Sequence, residues 1–249
     1  MLESLHGDAM NPMLTAIALA SLSLLPFLFV IGTSFAKFSV VLSLLRSALG
    51  TQNAPSSMIL NGLAAILSIA VMSPVLGAMQ DEAALVYDQS TTGEQGAASQ
   101  SDDDEGPDTQ AVRVSDWNVD EWLHAVHAAS EPWRRFLIEN SGDTELLFFR
   151  RLHPMEEETD ALEDTSFWKA LPAFLLTELA EAFQIGFLIF LPFLLVDLLV
   201  GSVLLALGMH MLTPTTVSLP FKLLLFVLIQ GWVLLSENLL LSYTFSVGG

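Results

Sequence analysis

The sequence predicts an all-α chain of integral membrane-type helical hairpins with a small helical subdomain set between them. Three observations predict it. Two long apolar runs, broken by a polar, proline-marked gap at Thr213 to Pro220, fill the stretch from Ala170 to Phe245. The first of them, Phe183 to Leu212, exceeds the ~20 residues that cross a bilayer core as a helix and carries a single charge, Asp197. Composition agrees: 52% of the residues are hydrophobic and 15% charged, with a mean hydropathy of +0.55. The formal charge of -19 is concentrated in one place, because Asp81 to Asp164 holds 22 acids against 5 bases, or -17 of the total. Such a surface excludes nucleic acid as a partner, since phosphate binding needs clustered Lys and Arg. There is no cysteine, hence no disulfide scaffold and no thiolate metal site.

In chain order, residues 1–80 read as N-terminal hydrophobic helices over 13–31, 33–49 and 57–79. The first has no basic start or small-residue cleavage site and is expected to be a retained membrane helix, kinked at Pro26. The second carries Lys37 and Arg46 and is closed by Gly50 as a C-terminal cap. Residues 81–165 form the acidic segment. Within it 89–109, rich in Ser, Thr, Gly, Gln and Asp, is expected to be a disordered insertion. Short helices follow over 118–153: one capped by Asn118 with Glu121, a second beginning at Pro132, a third beginning at Asp143. Residues 166–249 are C-terminal hairpins, with helices over 172–212 and 219–245. Thr165 or Ser166 supplies the cap and Pro172 belongs to the first turn. At 1.5 Å per residue an unbroken helix over Phe183 to Leu212 would reach about 45 Å, beyond the ~30 Å hydrocarbon core, so a break near Pro192 is expected. Gly186, Gly201 and Gly208 are candidate points of close helix approach.

Lys37, Arg46 and Lys222 flank the apolar runs, and counting them as cytoplasmic puts both termini and the acidic segment outside. Asp197 and Glu237 lie inside apolar helices, where an ionisable group marks either a transport pathway or a hydrogen bond to a neighbouring helix; the second reading is favoured. Glu178 and Glu181 share a helix face and read as a solvated or intersubunit surface. Asp120, His124 and His127 make a conceivable zinc arrangement, although such residues on a hydrophilic helix are more often exposed. No phosphate loop and no nucleophile turn occurs, so neither catalytic residues nor a cofactor is expected. Met209, His210 and Met211 put soft, adaptable side chains where a helix stops, suited either to core filling or to closing a gap reversibly.

Four stretches resemble one family: TSFAKFSVVLSLLRSALGTQNAP (Thr33 to Pro55), LNGLAAILSIAVMSPV (Leu60 to Val75), LPAFLLTELAEAFQIGFLIFLPFLLVDLLVGSVLLALGM (Leu171 to Met209) and SLPFKLLLFVLIQGW (Ser218 to Trp232). The family is that of the R subunit of the type III secretion export apparatus (SctR, YscR or HrcR) and its flagellar counterpart FliP. The resemblance implies a non-enzymatic subunit of a helical, cone-shaped export gate in the bacterial inner membrane, with the acidic segment periplasmic. It implies several copies, a pentamer, joined by the S and T subunits, the U and V components and the needle or inner rod protein. Secreted polypeptide passes through the centre, and membrane lipid surrounds the assembly or lies below hairpins raised out of it. Asp197, Glu178, Lys222, Lys37, Arg46 and Glu237 are then helix or subunit packing residues, and Met209, His210 and Met211 fall on the pattern of the family's methionine-rich gasket. His210 departs from that pattern, where methionine is usual. A ring of imidazoles would gain charge on mild acidification and loosen the seal, which leak currents recorded between pH 5 and 8 would test. The flagellar FliP subunit is the alternative within the family, disfavoured by the missing cleavable signal. A secondary transporter or proton channel using Asp197 and Glu237 is the alternative outside it.

Overall fold

The computed structural model describes residues 23–24, 26–51, 55–98, 119–152 and 165–243, with the side chains of 87–98 and 119–124 outside that description. Among the described residues the secondary structure is helical, with no strand. The helices are α1 (Pro26–Gly32), α2 (Phe35–Leu49), α3 (Ser57–Ala98), α4 (Val119–Glu139), α5 (Asp143–Leu152), α6 (Phe167–Ala206), α7 (Pro214–Leu228) and α8 (Gly231–Leu241). The chain forms two compact units, one of residues 1–68 and 175–239, the other of 69–174 and 240–249. Among the described residues two helices are long and apolar enough to cross a membrane unbroken, Ser57–Val86 and Phe167–Ala206. Two bent pairs have the same apolar character, α1 with α2 at 74° and α7 with α8 at 59°.

In the first unit α2 and α3 make an antiparallel hairpin. Ser34 Oγ donates to Ser68 Oγ at 3.2 Å near one end, and Ser39 Oγ to Asn61 Oδ1 at 3.3 Å further along. The bend between α1 and α2 falls at Thr33 and Ser34. There Thr33 Oγ1 donates to the Phe29 carbonyl and accepts from the Phe35 N–H at 3.3 Å and from Ser68 Oγ at 3.1 Å. Hydroxyls thus take over backbone partners that the interrupted helix gives up. Helix α2 ends as expected at Gly50, whose φ of 75° is a left-handed cap and whose N–H reaches the Ser47 carbonyl. The apolar core of this unit joins Leu45, Ala48 and Leu49 of α2 to Phe193 of α6 and Phe226 of α7.

In the second unit Phe136 and Leu137 of α4, Leu146 of α5 and Phe174 of α6 are buried. Phe136 stands 5.6 Å from Phe174 and 6.1 Å from Tyr243, centroid to centroid, while Trp133 meets Phe167 edge to face at 4.9 Å. Arg134 ties the unit further, donating to the Thr165 carbonyl at 2.9 Å and to both carboxylate oxygens of Glu131. Those hydrogen bonds, opposed by partial burial, hold the Glu131 carboxyl below its ordinary range.

Several expected boundaries are corrected. The helix over 57–79 continues to Ala98, through Pro74, so 89–98 of the expected disordered insertion is helical; 99–109 lies outside the described residues. One helix, α4, replaces the pair expected to divide at Pro132. Glu131, Arg134 and Arg135 bridge that turn by side-chain pairs, and Trp133 and Phe136 anchor it by packing. Helix α6 runs unbroken past Pro192, begins at Phe167 rather than 172 and stops at Ala206 rather than 212, so Pro172 lies in its second turn. A proline costs one hydrogen bond and a local adjustment, which a long helix can absorb without ending. The gap at Thr213 to Pro220 is mostly helix, because Pro214 occupies the first position of α7, where its missing N–H costs nothing. The helix expected over 219–245 is interrupted at Ile229 and Gln230. The proposed cap Asn118, and the side chains of Asp120 and His124 that the zinc arrangement needs, lie outside the description.

Candidate functional site

Helix α6 ends in a reciprocal pair of backbone hydrogen bonds. The Gly208 N–H reaches the Leu205 carbonyl at 3.0 Å and the Met209 N–H the Leu204 carbonyl at 2.9 Å. This Schellman arrangement needs a left-handed residue, and Gly208 supplies it at φ 74°. A Cβ on Gly208 would meet nothing within 4 Å. Its role is therefore conformational, not the close helix approach expected of it. Gly186 does serve close approach, since a Cβ there would lie 2.2 Å from Leu44 Cδ1.

Met209, His210 and Met211 form the turn between α6 and α7. All three are exposed, Met209 at 44% and Met211 at 99%. The turn closes at Thr213, whose Oγ1 lies 2.7 Å from Thr216 Oγ1.

Two ionic clusters lie deeper in the same unit. Lys37 of α2 is buried and holds Glu178 Oε1 at 3.0 Å and Glu181 Oε2 at 2.6 Å, both from α6. Glu178 is buried as completely as Lys37, and Glu181 remains partly in solvent. The solvated face expected of Glu178 is corrected accordingly, whereas Glu181 keeps part of its side chain in solvent. Lys222 of α7 donates to Asp197 Oδ2 at 2.7 Å and to the Ala48 carbonyl at 3.1 Å, and Ser218 Oγ donates to Asp197 Oδ1. Ala48 belongs to the last turn of α2, where carbonyls lack helical partners and the helix dipole favours a cation. Buried in these pairs, Lys37 and Lys222 no longer serve as markers of membrane side. Arg46 stands half-buried in the last turn of α2, and Glu237 is exposed on α8.

Opposite charges inside apolar helices were the available signal for both clusters, because an ionisable group in such surroundings seeks a partner. The partners lie 141 and 25 residues apart in sequence, a pairing that hydropathy does not encode. Ser218 had no signal of its own.

Among known proteins, the chain is similar to the Yop proteins translocation protein R of Yersinia pestis, at 42% identity over 91% of this chain and 94% of that protein. It is similar to the surface presentation of antigens protein SpaP of Salmonella typhimurium, at 41% identity over 90% and 93%. It is also similar to the flagellar biosynthetic protein FliP of Pectobacterium carotovorum, at 42% identity over 92% of this chain and 78% of that protein. The FliP family model matches residues 18–239, nearly the whole of both apolar regions and all that lies between them. The chain belongs to the FliP family.

Proposed function

We propose that this chain is the R-type subunit of a type III secretion export apparatus. It would sit in the bacterial inner membrane and act in several copies beside the S and T subunits, with the Met209 to Met211 turn facing the path of the secreted polypeptide. The acidic segment around α4 and α5 would be periplasmic. Names carrying translocation or antigen presentation belong to relatives matched over more than nine-tenths of their length, whereas the flagellar relative is matched over 78%. That difference favours the secretion branch over the flagellar one.

The observation that carries the reading is the uncovered face of α6. Large apolar side chains stand exposed along it from Leu176 through Phe183, Phe187, Leu191, Leu195 and Leu199 to Leu205. At 1.5 Å per residue this band extends about 44 Å, against ~30 Å of hydrocarbon in a bilayer. Lipid alone leaves roughly a third of it in water, so protein has to cover the remainder. A subunit of a multi-chain assembly needs such a face, and an inert anchor does not. The transporter reading is weaker, because Asp197 is engaged by Lys222 and Ser218 and Glu237 lies on an exposed face.

Native mass spectrometry of the chain co-expressed with the adjacent small membrane subunits tests the proposal. A discrete complex holding several copies of this chain is the expected result. A lone monomer that instead supports proton-coupled uptake in vesicles would overturn it.

A further inference from the structure

We infer that Arg46 of one copy of this chain pairs with Glu237 of the next, and that the pair sets which faces of neighbouring copies meet. The inference deepens the reading of the chain as a subunit present in several copies, and it rests on that reading. It starts from the charges of the unit formed by residues 1–68 and 175–239. Among the described residues of that unit Lys37 engages Glu178 and Glu181, and Lys222 engages Asp197. One cation and one anion are left over, Arg46 and Glu237, and neither takes part in an ion pair among the described residues. Their signs are opposite, and both stand on helices of mostly apolar composition. A charge in such surroundings is costly until it is partnered.

The surfaces around the two charges are uncovered and differ in shape. Around Arg46, half-buried in the last turn of α2, Ser43, Ser47 and Gly50 are exposed, so the helix presents small side chains there. Glu237 shares its face of α8 with Val233 and Leu234, one turn earlier, and all three are exposed. Its carboxylate therefore stands among large apolar side chains, not on a polar face. A ridge of valine and leucine laid against a row of serines and glycine lets two helices approach closely. Because both faces lie open on the same chain, the contact joins two copies and not two parts of one. The carbonyl end of α2 accounts for part of the charge of Arg46, but nothing comparable serves Glu237. An anionic lipid headgroup would likewise neutralise Arg46 and leave Glu237 as it is. A second copy supplies both complements at once. Since the two faces differ, the contact runs head to tail, each copy offering Arg46 to one neighbour and Glu237 to another, and its repetition builds a ring or a helical stack. Apolar burial supplies the attraction, and the ion pair selects the register, because a wrong one strands both charges.

The absence of cysteine makes the contact readable by crosslinking. Full-length chains with Arg46→Cys and with Glu237→Cys carry different affinity tags and are co-expressed with the adjacent small membrane subunits. A short bismaleimide then joins the thiols, since an Arg–Glu pair holds its Cβ atoms further apart than a disulfide spans. A covalent dimer bearing both tags is expected, at several times the yield of dimers from either variant alone. Equal yields overturn the head-to-tail contact. If both cysteines placed in one chain give a crosslinked monomer in place of the dimer, the residues meet within a copy and the inference fails. Crosslinking to a small subunit instead of a second copy overturns it as well. Charge exchange reads the pair itself: Arg46→Glu and Glu237→Arg should each lower recovery of the multi-copy complex in native mass spectrometry severalfold, and the chain carrying both should regain most of it. A double exchange no better than the worse single variant overturns the pair. The neutral Arg46→Gln and Glu237→Gln should lower recovery less and replace a reversal that fails to accumulate; wild-type recovery in both would exclude the pair. A multi-copy complex without the mixed dimer overturns the contact and leaves the export reading standing, whereas a chain that stays monomeric throughout overturns both.

Discussion

Replacing Lys37 by methionine isolates the energetics of the buried ionic cluster. The substitution keeps the length and apolar stem of the side chain and deletes the ammonium. Glu178, buried beside it at 3.0 Å, loses that counter-charge, while the half-exposed Glu181 can turn to water. At 3.0 Å and an effective dielectric of about 20 the Lys37–Glu178 attraction is about 5.5 kcal/mol, of which desolvation of the two groups offsets a large part. The net worth of the pair is therefore small, but removing one member costs about 3–5 kcal/mol because the other stays buried and charged while losing its counter-ion. With about 2–4 °C of melting temperature per kcal/mol for a chain of this size, Lys37→Met should melt roughly 10 °C lower. Adding Glu178→Gln removes the stranded charge and should restore most of that loss. The assay is thermal unfolding of the purified chain in detergent, followed by tryptophan fluorescence, for the wild type, both single variants and the double variant. A Lys37→Met variant that melts with the wild type would refute the reasoning, and so would a double variant less stable than Lys37→Met alone.

Substitutions at two further positions read separate parts of the chain. Gly208→Ala should cost about 1–2 kcal/mol, because a Cβ is strained in the left-handed region; with no atom within 4 Å of that Cβ the cost is purely conformational, so Gly208→Asn should recover part of it, and equal melting of the alanine variant and the wild type would contradict the cap. Glu131 has a folded-state pKa below its ordinary value of 4.5, so its pairing with Arg134 adds stability that is full above that value and is lost as pH falls through the lower, folded one. Glu131→Gln should therefore cost about 1 kcal/mol at neutral pH, with the gap to the wild type closing in melts taken from pH 5 toward pH 3; a gap independent of pH would show that the charge is not involved.

The helices themselves were legible, because apolar runs of this length have few other uses, and Gly50 was legible as a stop because a glycine after the last apolar position suits a left-handed cap. Where the helices break was not. Pro74, Pro132 and Pro192 mark no interruption, whereas the two sharp bends fall at Thr33–Ser34 and at Ile229–Gln230, neither of which contains proline. A proline removes one bond from a helix, and the bonds on either side of it carry the helix through. The bends instead depend on partners distant in sequence or on local crowding: Ser68 for Thr33 and Ser34, and the Phe226 ring, which would stand 2.1 Å from a Cβ at position 231 and so demands Gly231. Which ion pairs with which was hidden for a related reason. Lys37 and Lys222 look like flanking bases until α2 is laid against α6 and α7, and their partners are visible only then.

The order of contacts between α2 and α6 explains why the chain needs ions in an apolar interior. Lys37 meets Glu178, Leu44 meets Gly186, and Ala48 lies at the lysine that holds Asp197, so positions rise together on both helices and the two run parallel. Parallel helices cannot be joined by a tight turn, and α3, α4 and α5 intervene between α2 and α6 in the chain. Such a pair joins segments far apart in sequence, with the loop-closure cost that entails, and its leucine-rich faces offer several registers of similar energy. Two ionic contacts near the ends of α2 select one of them. Buried ion pairs add little net stability, but they make the wrong registers expensive. On the proposed reading the chain presents the apolar face of α6, about 44 Å long at 1.5 Å per residue, to other chains, and it gains more from that discrimination than from additional apolar area.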